Sequence, residues 1–263
     1  MSGKIRCGVG GWTFEPWRGT FFPPGTPQAK ELDYASRQLT AIEVNGTYYS
    51  SQKPATFAKW AAATPDDFVF TLKASRFCTN RKVLAEAGES IGKFVGQGIS
   101  ELGDKLGPIL WQFMPTKKFD PDDFGAFLKL LPDKLEGRPL RHAVEVRHES
   151  FQTPDFIALA RAANVAIVYA AHETYPAIAD VAADFVYARL QTAKESLENG
   201  YTDAELDHWA AVAKSWAEGH QPRALPLLSS SEPAHAPRDV YVFMISGDKV
   251  RNPAAAKALI ARL

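Results

Sequence analysis

The chain has 263 residues, of which 46% are hydrophobic and 23% charged, the balance of an ordinary globular protein long enough to bury a substantial core. Thirty basic residues offset thirty acidic ones, so no global field draws the chain to nucleic acid or an anionic membrane, and both partners are disfavoured. No apolar run approaches the roughly 20 residues that span a bilayer, no signal-type apolar region is found, and Cys7 and Cys78 are too few and too far apart for a zinc knuckle or redox pair. The expected setting is the cytoplasm.

Short β-rich runs recur at 5–9, 41–44, 68–73, 108–113, 143–146, 166–169, 185–189 and 240–245. Between them lie stretches of helical period. Phe124, Phe127, Leu128 and Leu131 follow i, i+3, i+4, i+7, as do Phe156, Leu159, Ala160 and Ala163. Helix starts are signalled by Thr153-Pro154 and Asn252-Pro253, and by Thr202 with Glu205 as a capping box. Strand and helix alternating eight times predicts a single (β/α)8 TIM-type barrel over residues 1–263 rather than an open doubly wound sheet. The first strand leads into Gly8-Val-Gly-Gly-Trp12, which lacks the dinucleotide glycine spacing, and no Walker A sequence occurs. A proline- and serine-rich insertion at 221–238 precedes the last strand, on the face of a barrel away from its chemistry.

Barrel active sites form at the C-terminal ends of the strands, which directs attention to polar residues there. Strand two ends in Glu43-Val-Asn45 with Tyr48 just beyond; strand three ends in Lys73, followed by Arg76 and Thr79; strand four carries Gln112, strand five Glu145 and Arg147, and strand seven Arg189. Strand residues two apart share a face, so Glu145 and Arg147 point the same way. Lys, Glu and Arg are rarely buried without partners, and ion pairs that merely close the barrel compete with a site as the explanation. As a site, Arg147 and Arg189 would hold phosphate or carboxylate. Lys73 would act as nucleophile or anion clamp, and Glu145 or Glu43 as proton carrier. Asn45, Gln112 and Thr79 would add ligand contacts, while Trp12 and Tyr48 would stack on a ligand. Phe21 and Phe22, in the long loop after strand one, read as an apolar plug.

No cofactor is predicted. A divalent metal is the weighed alternative, but only His148 and His172 follow strands on the active face, and each begins a zinc-helix motif without its second histidine.

The motifs Gly8-x-Gly-Gly-Trp12, Trp17-x-Gly19-x-Phe-Phe-Pro23, Glu43-Val-Asn45-x-Thr-Tyr-Tyr49, Phe70-x-x-Lys73-Ala, Leu106-Gly-Pro-Ile-Leu-Trp-Gln112-Phe and Val144-Glu-Val-Arg-His148-x-Ser-Phe151 together resemble the DUF72, or YecE-like, family. The resemblance implies a (β/α)8 barrel and no established reaction. Arg189-Leu-Gln191-Thr192 stands where such proteins usually read Arg-Leu-His-Gly, Ile245-Ser-Gly-Asp248 where an Asn-Asn-Asp motif is usual, and Thr79-Asn80 where Thr-His is common. The leading expectation is a protein acting on a small phosphorylated or polyhydroxylated ligand. The alternatives are a non-catalytic metabolite-sensing or protein-interaction barrel and, least favoured, a metal-dependent phosphoesterase or endonuclease.

Overall fold

A ring of parallel strands organises the computed structural model, which describes residues 2–263. Strands β1 (Ile5–Gly10), β2 (Ala41–Val44), β3 (Val69–Lys73), β4 (Leu106–Gln112) and β5 (His142–Glu145) pair in sequence, while β7 (Phe185–Leu190) pairs with β8 (Asp239–Met244), which returns to β1 through Ile5↔Val240. β6 closes the ring in two pieces. Ala166–Ile167 pairs with β5, Tyr169–Ala171 pairs with β7, and Val168 between them donates its N–H to the Val144 carbonyl at 2.9 Å. The continuous strand expected at 166–169 is thus divided, its lower half serving one neighbour and its upper half the other.

Among the described residues seven helices of eight residues or more pack outside: α1 (Gln28–Gln38), α2 (Pro54–Ala62), α3 (Gly88–Val95), α4 (Pro121–Leu130), α5 (Pro154–Ala162), α6 (Asp203–Ala217) and α7 (Asn252–Ile260). Phe124, Phe127 and Leu128 on α4 are buried, as are Phe156 and Ala160 on α5, as the helical period requires. Thr153 accepts the Phe156 N–H, and Thr202 with Glu205 forms the reciprocal capping box. Asn252 departs from expectation. It is the first helical residue rather than the cap, and its Nδ2 donates to the Ser246 carbonyl at 3.2 Å, tying the helix start to the loop over the barrel mouth.

No helix follows β6: residues 172–184 form neither helix nor strand. Ile178 to Ala182 there lie against outward-facing Ile167, Tyr169 and Val186 and against Trp216 of α6. Segment 221–238 fastens this stretch down. Asp180 accepts from the backbone N–H groups of Leu228 and Ser229 at 2.8 and 2.9 Å, and Ala179 donates to the Pro226 carbonyl at 2.9 Å. The proline- and serine-rich connection therefore helps cover the wall that a sixth helix would cover, satisfying backbone groups that would otherwise be buried unpaired.

Two cores result. The outer one lies between strands and helices. The inner one fills the ring with Ala41, Leu110, Ala143, Ala166, Phe185, Tyr187, Tyr241 and Phe243, and each fully buried ring here stabilises the fold by roughly 1.5–3 kcal/mol. Because side chains alternate along a strand, the next inward positions toward the C-terminal end are Glu43 above Ala41, Gln112 above Leu110, Glu145 above Ala143 and Arg189 above Tyr187. Pairing sets Gln112 beside Glu145. The apolar fill thus fixes the height at which the polar layer begins.

Candidate active site

Arg189 stands at the centre of this polar layer. Its Nε and Nη2 meet Glu43 Oε2 and Oε1, each at 3.0 Å, a bidentate fork, while Nη1 reaches Glu145 Oε2 at 2.6 Å. All three side chains are buried. Glu43 also accepts from the Tyr187 hydroxyl at 2.7 Å, and that hydroxyl lies 3.0 Å from Thr71 Oγ1. Glu145 accepts from Gln112 Nε2 at 2.7 Å and, on its other oxygen, from Arg147 Nε at 3.1 Å. Taking such charges out of water costs several kcal/mol per ion; here the cost is offset because both carboxylates are bonded at both oxygens and the Arg189 fork is fully engaged.

The electrostatics follow from this geometry. Burial pushes the Glu145 carboxyl up, but Arg189, Arg147 and the Gln112 hydrogen bond outweigh it and hold the group at about 2. Burial pulls Arg189 down, and Glu145 and Glu43 reverse that, so its guanidinium is permanently charged. Burial, then the charge of Glu43, raises the Tyr187 phenol well above its usual range, keeping it a donor.

Above this layer opens a cavity of about 760 Å³, lined by Trp12, Asn45, Tyr48, Gln52, Trp60, Lys73, Gln112, Arg147, Arg189, Lys249 and Asn252 among others. Neither Glu43 nor Glu145 lines it. Lys73, the last residue of β3, is held at its carbonyl by Thr47 Oγ1 at 2.7 Å, and its Nζ lies 4.2 Å from the Tyr48 ring centroid. Burial first, then repulsion from Arg189, lowers its pKa to about 8. Arg147 packs over the Tyr175 ring at 4.4 Å, and Lys249 over Phe14 at 4.2 Å with its pKa lowered by burial. At Gly10, at the end of β1, a Cβ would stand 2.8 Å from both Asn45 Nδ2 and Ile245 Cδ1, so glycine keeps that part of the lining open.

Of the residues singled out in the sequence, Lys73, Arg147, Arg189, Asn45, Gln112, Trp12 and Tyr48 meet at this cavity, and Glu43 and Glu145 lie directly beneath it, bonded to its arginines. Thr79 does not join them. It is buried in the wall of a separate depression of about 1040 Å³, with Lys82, Lys117, Asp120 and Asp122. Trp12 packs edge-on against Trp60 at 5.1 Å, and Phe21 and Phe22 pack with Trp17 and Tyr34 as an apolar plug. His148 binds Ser150 and His172 stacks on Tyr175 at 4.0 Å; neither lines the cavity. Among the described residues no group of three His, Cys, Asp or Glu side chains is arranged as a metal site requires.

Tyr187, Thr71, Tyr175 and Lys249 were not singled out in the sequence, and Asn252 was read only as a helix cap, not as part of a site. Tyr187 was within reach of strand periodicity, two residues before Arg189 on the same face. Lys249 carries no local signal and that of Asn252 pointed to a cap, because the loop after β8 meets the loop after β1 only when the ring closes.

Comparison with known proteins agrees with this architecture. The family described as Protein of unknown function DUF72 matches residues 6–263. The UPF0759 protein YunF of Bacillus subtilis (strain 168) is 24% identical over 157 residues, spanning 58% of this chain and about half (54%) of that protein. A DUF72 family protein (TM1631) from Thermotoga maritima MSB8 superposes with a TM-score of 0.71 at 21% identity, covering 98% of this chain and 97% of its own. A second DUF72 family protein (EF0366), from Enterococcus faecalis V583, gives 0.68 at 15% over 99% and 98%. SacUVDE gives 0.57 at 7% over 99% and 100%, a likeness of fold.

Proposed function

This chain belongs to the DUF72 family, whose function is unknown, and from its cavity we propose an enzyme that binds and acts on a small phosphorylated or polyhydroxylated molecule at the barrel mouth. The supporting observation is a surplus of positive charge. Lys73, Arg147, Arg189 and Lys249 line the cavity with no carboxylate among its lining residues, and the two carboxylates below are committed to the two arginines. Two lysine charges remain. A phosphate monoester carries about −1.5 to −2 near neutral pH and matches them. Arg147, whose Nε and Nη2 face Glu145, keeps its outer Nη edge for a phosphate oxygen, Asn45 and Gln52 suit hydroxyls, and Trp12 and Tyr48 present apolar faces.

Within this reading Glu43 and Glu145 position the arginines, and Lys73 takes over the proton-carrying role that the sequence suggested for the two glutamates. The Glu145 carboxyl, held at about 2, has no proton to give at neutral pH, and Glu43, bonded at both oxygens, does not line the cavity; the Lys73 amine at about 8 lines it and has one.

Calorimetric titration with a panel of phosphate monoesters tests the site. Arg147→Ala should weaken binding by about 10- to 100-fold, the range for losing a charge-assisted hydrogen bond. Unchanged affinity across every compound that the native protein binds would end the assignment. Ligand stabilisation without turnover over broad hydrolase and isomerase panels would remove the enzyme and leave a binding protein.

A further inference from the structure

Lys73 differs from every other cation of the polar layer. Arg189 and Arg147 are locked onto Glu43 and Glu145, whereas among the described residues no carboxylate lies within 4.0 Å of the Lys73 ammonium. The two carboxylates near enough to attract it already hold the arginines, so its charge is left uncompensated in a half-enclosed, aromatic-walled hollow. Its backbone is fixed by Thr47 and by the Ala74 N–H to Leu110 carbonyl bond of 2.9 Å, which aims the side chain into the cavity.

Resting on the reading above, we infer that Lys73 forms an imine with the carbonyl carbon of a small phosphorylated aldehyde or ketone, whose phosphate is held by the neighbouring cations, Arg147 foremost. Desolvation beside other cations is the general means of activating an amine nucleophile. At pH 7 a lysine at about 8 is roughly one-tenth free amine, about 300-fold more than one at its ordinary value of 10.5.

The step balances without an oxidant or reductant. The Nζ lone pair forms a C–N bond while the carbonyl π pair moves to oxygen, which takes a proton. The nitrogen then loses a proton, the hydroxyl takes a second proton from water, the C–O bond breaks with water leaving, and the nitrogen lone pair closes C=N, whose remaining N–H proton returns to water. The Tyr48 ring, with its centroid 4.2 Å from the Lys73 Nζ, walls one side of the reacting amine.

The test uses the full chain with pyridoxal 5′-phosphate, an aldehyde bearing a phosphate, followed by borohydride reduction, intact mass and peptide mapping. The expected result is one dominant adduct on Lys73, at least tenfold over any other lysine. It should be lost in Lys73→Arg and Lys73→Met, suppressed by inorganic phosphate, and much weaker with pyridoxal, which lacks the phosphate. Circular dichroism confirms that the variants are folded, and should either fail to fold, mapping of the native protein alone decides the matter. Labelling spread over surface lysines, or centred on Lys249, would overturn the inference. Thermal stabilisation by glycerol phosphate is measured in parallel, in the native protein and in Arg147→Ala. If it is present and sensitive to Arg147 while no Lys73 adduct forms, imine chemistry is wrong and the anion site stands. If stabilisation is also missing, both fall.

Discussion

Replacing Glu145 with glutamine preserves shape and removes one charge from the polar layer. In the native protein the carboxylate accepts from Arg189 at 2.6 Å, Gln112 at 2.7 Å and Arg147 at 3.1 Å, with no exposure to solvent. An amide presents an N–H toward donors on whichever side it turns and leaves Arg189 with Glu43 as its single ion-pair partner. Breaking a buried pair in this way costs about 3–5 kcal/mol, which for a chain of this length lowers Tm by roughly 10 °C. The pH dependence gives an independent check. The carboxyl titrates at about 2 in the folded protein against 4.5 unperturbed, so its contribution of about 3 kcal/mol is full above 4.5 and drains away as pH falls toward 2. Denaturant unfolding at pH 7 and at pH 3 should therefore show a large gap between native protein and Glu145→Gln that narrows in acid. A variant within about 1 kcal/mol of native at pH 7, or a gap independent of pH, would refute the ion-pair account of the layer.

Lys73→Met should stabilise the protein at pH 7 by roughly 3 kcal/mol while weakening phosphate binding about tenfold, since the depressed lysine is costly to bury below about 8 and that cost lifts as pH rises toward 10.5; a destabilised variant at pH 7 would contradict it. Affinity for a phosphate monoester should rise through the phosphate's second ionisation near about 6 and fall above about 8 as Lys73 discharges, and a flat calorimetric profile between pH 6 and 9 would exclude Lys73 from the anion site. Thr202→Ala removes the reciprocal cap of α6 and should cost about 1 kcal/mol in chemical denaturation with ligand binding untouched; changed binding would mean that α6 communicates with the cavity.

Periodicity made the strands legible, and with them the polar layer. Ala41 with Glu43, Leu110 with Gln112, and Ala143 with Glu145 lie two residues apart on one strand, so the apolar member announces that the charged one also faces the ring. Eight β-rich runs, most of them separated by helical stretches, leave few topologies other than a closed barrel. The same local rules misplaced Asn252, whose side chain bonds to Ser246 rather than capping, and ran β6 through Val168, where the ring divides its pairing.

The amino-acid order by itself determined which residues point into the ring and at what height along each strand, because side-chain direction in a strand depends only on position. Which charges pair, and which stay free, was decided by closure. Arg189 lies 146 residues from Glu43 and 44 from Glu145 along the chain, yet it reaches both, while Lys73 has no carboxylate partner among the described residues and only the Tyr48 ring beside it. That allocation, and the entry of Lys249 and Asn252 into the cavity, depends on distances across the barrel, and strand periodicity carries no information about them.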